Sequence, residues 1–426
     1  MLCKRIQLQV LAAAALAAFT TGASALDFHG YVRAGGGSTS GGGKLTCFAL
    51  KGASSKYRLG NECEMYSEMT FNQNLYTQKD GGANGVKFDY ELGFAAISDY
   101  DNQQEFQKLS DPGNQFANRQ NWIKASNIPF LNGGAAWAGK RYYKREDVHI
   151  TDFYYMDVSG FGAGIEDIPA GPGKFSLAVF SGNTTSPQKD TNGDGKVDSL
   201  DAKVDAHINR LDLRYEGVSL GGLGMLNLGI NQNFGSAGKA GGTASNGTGL
   251  YASLMTPGVL GGFNKIAVQW GKGSVSNNVW GYPSYTSASS DKSWRVIEQL
   301  QWQLSPSFSG LATAVYQDTD NGNKWMSLGA RPVWHINDWA KLQAEIGFDR
   351  VKPQTGATQN LTKITIAPTL VAGRGFWARP ELRVFVTHAT WNDAARDAGS
   401  VAGGATGRFG GKTSGTTFGV QAEAWW

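Results

Sequence analysis

The amino-acid sequence predicts an all-β chain, a transmembrane antiparallel β-barrel of about 16–18 strands. Three observations carry that prediction. The last eleven residues alternate strictly, with Phe418, Val420, Ala422, Ala424 and Trp426 on one face and Gly419, Gln421, Glu423 and Trp425 on the other. Successive side chains of a strand point to opposite faces, so this is one strand with an oily side and a polar side. The same alternation recurs through the chain. Beyond the N-terminal leader no apolar run approaches 18 residues, which excludes helical spans.

The leader comes first. Lys4 and Arg5 precede an apolar run from Val10 to Phe19, and Ala23-Ser24-Ala25 matches a small-residue cleavage site. Residues 1–25 therefore read as a secretory signal peptide. Residues 26–426 read as one barrel domain, since no linker or composition shift divides them. Losing Lys4 and Arg5 takes the formal charge from +4 to +2, which argues against a nucleic-acid partner. Cys3 leaves with the leader. Cys47 and Cys63, sixteen apart, are expected to form one disulfide closing a surface loop in an oxidising periplasm. In the chain-entropy model such a bridge stabilises by roughly 3 kcal/mol. Two cysteines without clustered histidines cannot fill a zinc shell.

Strand-like runs follow in order. Phe88, Tyr90, Leu92, Phe94 and Ala96 interleave with Asp89, Glu91, Gly93 and Ala95. Leu226, Leu228 and Ile230 alternate, as do Ile266, Val268 and Trp270. Leu342, Ala344, Ile346 and Phe348 interleave with Gln343, Glu345, Gly347 and Asp349, and Ile364, Ile366, Pro368 and Leu370 repeat the pattern. Carboxylates on the hidden face of a soluble sandwich would be costly, whereas a water-filled lumen accepts them. Turns fall at 305–307 and 336–338, and the Gly/Ser/Asn-rich segments 236–249 and 397–415 read as external loops.

The polar face carries the functional signal. By parity Tyr31 joins Asp27, His29 and Arg33, and Tyr66 joins Glu64 and Glu68. Trp377 joins Arg379, Glu381 and Arg383, Phe263 joins Lys265 and Gln269, and Trp425 joins Glu423. Any one inward aromatic reads equally as rim packing. Five beside charged neighbours point to a sugar, whose apolar CH face stacks on rings while its hydroxyls bond ionised side chains. Each such bond is worth about 1.5–3 kcal/mol. A channel must also release its cargo, so its subsites should be weak and repeated.

Five segments then become specific: LDFHGYVRAG at the mature N-terminus, SKYRLGNECE (55–64), WAGKRYYKREDVHITDFYYMDVSG (137–160), WARPELRVF (377–385) and the terminal AEAWW. Together with GFNK (262–265) and NGNKWMSLGARP (321–332), they resemble the maltoporin family over nearly the whole mature chain. The resemblance implies an 18-stranded homotrimeric barrel in the Gram-negative outer membrane, with an inward-folded constriction loop. Passage of maltose and linear maltodextrins would be passive and saturable, with no cofactor for transport and no enzymatic step. Membrane lipid is an implied partner, and phage or other surface ligands could use the external loops.

By the same resemblance Tyr31, Tyr66, Phe263, Trp377 and Trp425 form an aromatic slide, joined by Phe106, which would reach into a neighbouring subunit. Arg33, Arg58, Glu68, Arg119, Arg145, Asp147 and Asp152 form polar tracks, and Tyr154 is the central constriction residue. Cys47 and Cys63 match the family's first-loop disulfide. Sucrose-selective relatives carry Asn, Asp and Phe where this chain has Arg145, Tyr154 and Asp157, so the maltodextrin branch is favoured over a sucrose channel. His149 reads as a structural histidine, with no nucleophile or second ligand nearby in sequence.

One segment lies outside the resemblance. Asp190, Asn192, Asp194 and Asp198 stand at positions 1, 3, 5 and 9 of a calcium-type loop. Gly195 is at position 6, Lys196 at 7 and Asp201 at 12. A structural calcium is the reading, and a metal-free Gly/Asn/Asp turn is the alternative. A secreted carbohydrate-active enzyme would also use aromatics and paired carboxylates. It would not need an oily outward face on every strand.

Overall fold

The computed structural model describes residues 26–99, 114–183, 206–236, 244–275, 283–285, 287–320, 322–401 and 409–426. The signal peptide at 1–25, Phe106, and the calcium-type residues Asp190, Asn192, Asp194, Lys196, Asp198 and Asp201 lie outside the described residues.

The first strands are β1 (Asp27–Thr39), β2 (Glu64–Thr77), β3 (Lys87–Asp99), β4 (Asn114–Ile128) and β5 (Gly134–Arg141). A small hairpin, β6 (Glu146–Val148) and β7 (Phe153–Met156), follows. Next come β8 (Gly160–Ala170), β9 (Gly173–Asn183), β10 (His207–Ser219), β11 (Met225–Ser236), β12 (Gly247–Pro257) and β13 (Phe263–Gly273). The wall continues through β14 (Lys292–Ser305), β15 (Phe308–Thr319), β16 (Lys324–His335), β17 (Ala340–Lys352), β18 (Gln359–Val371), β19 (Glu381–Trp391) and β20 (Ser414–Trp425). All but β6 and β7 belong to one 18-stranded antiparallel sheet, and β1 closes it by pairing with both β2 and β20. Closure satisfies the edge groups that lipid could not.

The two faces separate as the alternation requires. Ile230, Val268, Ile364, Ile366, Leu382, Val384, Phe418 and Val420 are exposed on the outside, where lipid takes them. Their strand neighbours Gln269, Lys363, Thr365, Arg383 and Gln421 are buried inside. Trp426 faces outward, its ring over Gly30 and 5.5 Å from Phe28. Both termini share the end of the short turns, such as 306–307 and 336–339, so the opposite, long-loop end is extracellular.

Two long loops do not stay outside. Residues 40–63, between β1 and β2, and 142–159, between β5 and β8, fold into the lumen. Phe48, Leu50 and Tyr57 of the first pack with Val148, Ile150, Phe153 and Tyr155 of the second. Both meet Ile297, Leu311, Val315 and Trp325 on the β14–β16 wall. Gly329 and Gly347, register partners on β16 and β17, leave room for the Tyr57 ring; a Cβ at either would sit 2.0 or 2.2 Å from it.

Two expectations need correction. The Cys47–Cys63 bridge forms, with Cα atoms 5.8 Å apart, but it does not close a surface loop. Its loop is buried because Leu45, Phe48, Leu50, Tyr57 and Leu59 find an apolar interior inside the barrel. The segment 397–415 is likewise not simply external. Val401 bridges Leu50, and Phe409 stacks on Phe48 at 5.5 Å.

Candidate functional site

The loop core fills the β12–β18 side of the lumen. Along β1–β5 it leaves a cavity of about 800 Å³. Tyr31 and Arg33 on β1 face the register partners Glu68 and Tyr66 on β2. The crossed pairing alternates ring and charge, with Tyr31 and Tyr66 centred 5.9 Å apart. Tyr31 also pairs with Trp425 across β1–β20. The Arg379 guanidinium lies 4.2 Å over the Trp425 ring. Trp377 reaches the cavity from the turn between β18 and β19, not from a strand.

His149 fills the space behind the two tryptophans, 4.9 Å from Trp377 and 6.0 Å from Trp425. Burial, with Arg58 beside it, holds the imidazole well below its ordinary range, so it is neutral. Its ring also lines the cavity, with Arg379 3.5 Å from its Nε2.

The inward loop narrows the cavity. The Arg145 guanidinium lies 3.5 Å over the Tyr142 ring and 4.7 Å from that of Tyr154. Tyr142 Oη donates to Glu68 at 2.7 Å, and Tyr66 donates to the same carboxylate. Asp147 and Tyr154 are register partners on the β6–β7 hairpin. Burial pushes the Tyr154 phenol up to about 12, so it remains a neutral donor. Asp152 ends the intervening turn in the left-handed region (φ 52°) and accepts from Lys56 at 2.7 Å.

The hairpin is anchored from behind. Glu146 accepts from Lys265 at 2.8 Å, from Tyr155 at 2.7 Å and from Tyr251. Burial raises the Glu146 carboxyl, but Lys265 and these bonds outweigh it and hold the group below its usual range. Burial likewise raises Asp152, and Arg58 and Lys56 outweigh it. Asp147 goes the other way, because burial dominates the nearby Arg58.

Of the sequence-derived residues, Tyr31, Tyr66, Trp377 and Trp425 share this cavity with Arg33, Arg58, Glu68, Arg119, Arg145, Asp147, Asp152 and Tyr154. Arg119 faces it because it is the extra residue of a bulge between the Gly93–Gln120 and Phe94–Asn118 pairs. Phe263 is not brought in. It shares the inward parity of Lys265 and Gln269 but opens β13 at the short-turn end, outside the lining.

Sequence reasoning missed Tyr142, Lys56 and Arg141. Tyr142 and Arg141 lie in the 137–160 block, but their strand ends at Arg141, so parity says nothing of the loop. Lys56, two residues before Arg58, is placed here only by the inward fold of its loop, whereas Glu64 opens β2 on the inward parity of Tyr66. The lining carries seven cations and five carboxylates, a mixed set suited to hydroxyls, unlike the single-sign ring of an ion filter. Among the described residues no group of three His, Cys, Asp or Glu side chains could hold a metal.

A family model described as LamB porin matches residues 26–426. Among solved structures, OccD3 (OpdP) of Pseudomonas aeruginosa is 9% identical, with 95% of this chain and 93% of that one covered, at a TM-score of 0.48. OpdK of Pseudomonas aeruginosa is 9% identical over 95% and 100%, at 0.47. OprB of Pseudomonas putida is 12% identical over 94% of each chain, at 0.43. Likenesses this distant say nothing about cargo.

Proposed function

The chain belongs to the LamB porin family and is an outer-membrane β-barrel porin; we propose that its cargo is maltose and linear maltodextrins, which diffuse through it passively and saturably. One observation carries the reading. Tyr31, Tyr66, Trp377 and Trp425 line one cavity together with Arg33, Arg58, Glu68, Arg145 and Asp152. Rings take the CH faces of successive glucose units, and the charged groups bond their hydroxyls. Glu68 is already shared by Tyr66 and Tyr142, Glu64 by Arg33 and Asp152 by Lys56, so a hydroxyl there exchanges one bond for another and the subsite stays weak. Arg145, held between Tyr142 and Tyr154, sets a narrow slot suited to a linear chain. In this reading the barrel works as a trimer, Phe106 of a neighbour extends the slide, and a calcium ion at 190–201 stiffens an external loop.

The test is ion current through single channels in planar bilayers. Added maltohexaose should block it in a saturable way, and Trp377→Ala and Trp425→Ala should each weaken the block by about tenfold, as expected for loss of roughly 1.4 kcal/mol. Block by sucrose but not by maltohexaose would refute the cargo. An unchanged binding constant in both variants would refute the slide.

A further inference from the structure

The lumen explains the inward charges. It does not explain a cluster on the outside. Lys272 on β13 and Lys292 on β14 are direct register partners, and so are Lys324 on β16 and Lys352 on β17. All four are exposed, and each shares the outward parity of its strand, with Trp270, Trp294, Leu328 and Ile346 on the same faces. Arg350, two residues before Lys352, is exposed on that face as well. Like charges directly opposed destabilise a ladder, and here this happens twice within four neighbouring strand spacings, about 19 Å.

Internal neutralisation is slight. Lys324 pairs with Asp318 at 2.6 Å. Among the described residues Lys272, Lys292, Arg350 and Lys352 make no ion pair, although Asp291 and Asp320 lie on the loop side of the patch. The charge is also local. Near the same rim, the outward residues Asn360, Thr390, Thr416 and Ser38 on β18, β19, β20 and β1 are neutral.

Depth identifies what the patch faces. Trp270 and Trp294 are register partners one outward step below Lys272 and Lys292, and Trp294 lies 5.2 Å from Tyr316. Such aromatics mark the boundary between hydrocarbon and headgroups. The cations stand above that boundary at the long-loop, extracellular end, level with the headgroups of the outer leaflet.

We propose that the outward rim of β13–β17 is a binding site for the phosphate groups of an anionic glycolipid of the outer leaflet. The opposed lysines clamp phosphate, and Arg350, whose planar fork suits phosphate oxygens, sits on the acyl side. Trp270 and Trp294 pack on the first methylenes. A phosphate between two facing lysines turns a repulsive pair into a bridged one, so bound lipid stabilises this part of the wall.

The test titrates the full chain in neutral detergent with a bisphosphorylated hexa-acyl glycolipid, the same glycolipid stripped of phosphate, and inorganic phosphate, counting adducts by native mass spectrometry. The phosphorylated glycolipid should bind best. Each lysine removed should cost about fivefold, so the variant carrying Lys272→Gln, Lys292→Gln, Lys324→Gln and Lys352→Gln should lose a hundredfold or more. The two double variants, one per facing pair, report the same loss in smaller steps should the quadruple fail to fold. Lys79→Gln with Lys412→Gln, exposed lysines outside the patch, should change nothing. Equal retention of the stripped glycolipid, or undiminished binding by the lysine variants, overturns the proposal. Capture of inorganic phosphate at the same concentration overturns its assignment to lipid.

Discussion

Replacing Glu423 by Gln should damage both stability and sugar binding. The Glu423 carboxylate is buried at 1% exposure. Its Oε1 accepts from Arg58 at 2.9 Å and from Tyr31 at 2.9 Å. Its Oε2 accepts from Arg379 and Arg383, each at 3.1 Å. An amide keeps one acceptor and turns the other into a donor, which then faces either Arg58 and Tyr31 or the other two arginines. One charge is lost as well, leaving Glu62, Glu64 and Glu381 to balance Arg33, Arg58, Arg379, Arg383 and Lys341. Removing one partner of a buried charged group costs about 3–5 kcal/mol. Urea unfolding in micelles, followed by tryptophan fluorescence, should show a loss of that size.

Tyr31 and Arg58 would also lose their fixed geometry, and maltodextrin block should weaken by about tenfold, the worth of one hydroxyl contact of ~1.5 kcal/mol. A double-mutant cycle with Tyr31→Phe should show coupling of at least ~0.5 kcal/mol. Wild-type stability and block in Glu423→Gln would refute the claim that this carboxylate organises the slide.

Two further outcomes follow from the constriction loop. Tyr142→Phe keeps the ring under Arg145 but loses the 2.7 Å bond to Glu68, so block should weaken severalfold, and Tyr142→Ala should weaken it further; equal values for both variants would show that the ring contributes nothing. Glu146 and Asp152 have carboxyls held below their ordinary range. Their contribution to loop docking is therefore complete above about pH 5 and is lost as pH falls through their lowered values. Brief closures in single-channel records should multiply in acid, and Lys265→Met should shift their onset to higher pH; an unmoved onset would refute the anchor.

Alternation made the barrel wall legible, because a strand in lipid must present an unbroken oily face. It therefore also sorted Tyr31, Arg33, Tyr66, Glu68 and Trp425 to the lumen without any partner being known. Three things escaped it. A bulge carries Arg119 inward beside Gln120, where strict parity would send one of them out. Trp377 sits in a turn, so parity named the right side through the wrong element. Parity also gives direction but not height, which is why Phe263 points inward yet lies away from the cavity.

The loops were the least legible part, for the same physical reason that the wall was easy. Loop residues have no fixed period, so burial there depends on what the barrel offers. Tyr57 illustrates this: its ring is buried only because β16 and β17 place Gly329 and Gly347 side by side, some 270 residues later in the chain. Lys363 then donates to the carbonyl oxygens of Phe48 and Lys56 from the facing wall. The disulfide limits how far residues 47–63 can spread, and the barrel supplies the apolar and cationic surface that draws them inward. Arg58 reaches Tyr31 and Glu423 only from that buried position. The loop carrying the bridge thus belongs to the channel lining as fully as any strand, and its inward packing decides which half of the lumen stays open.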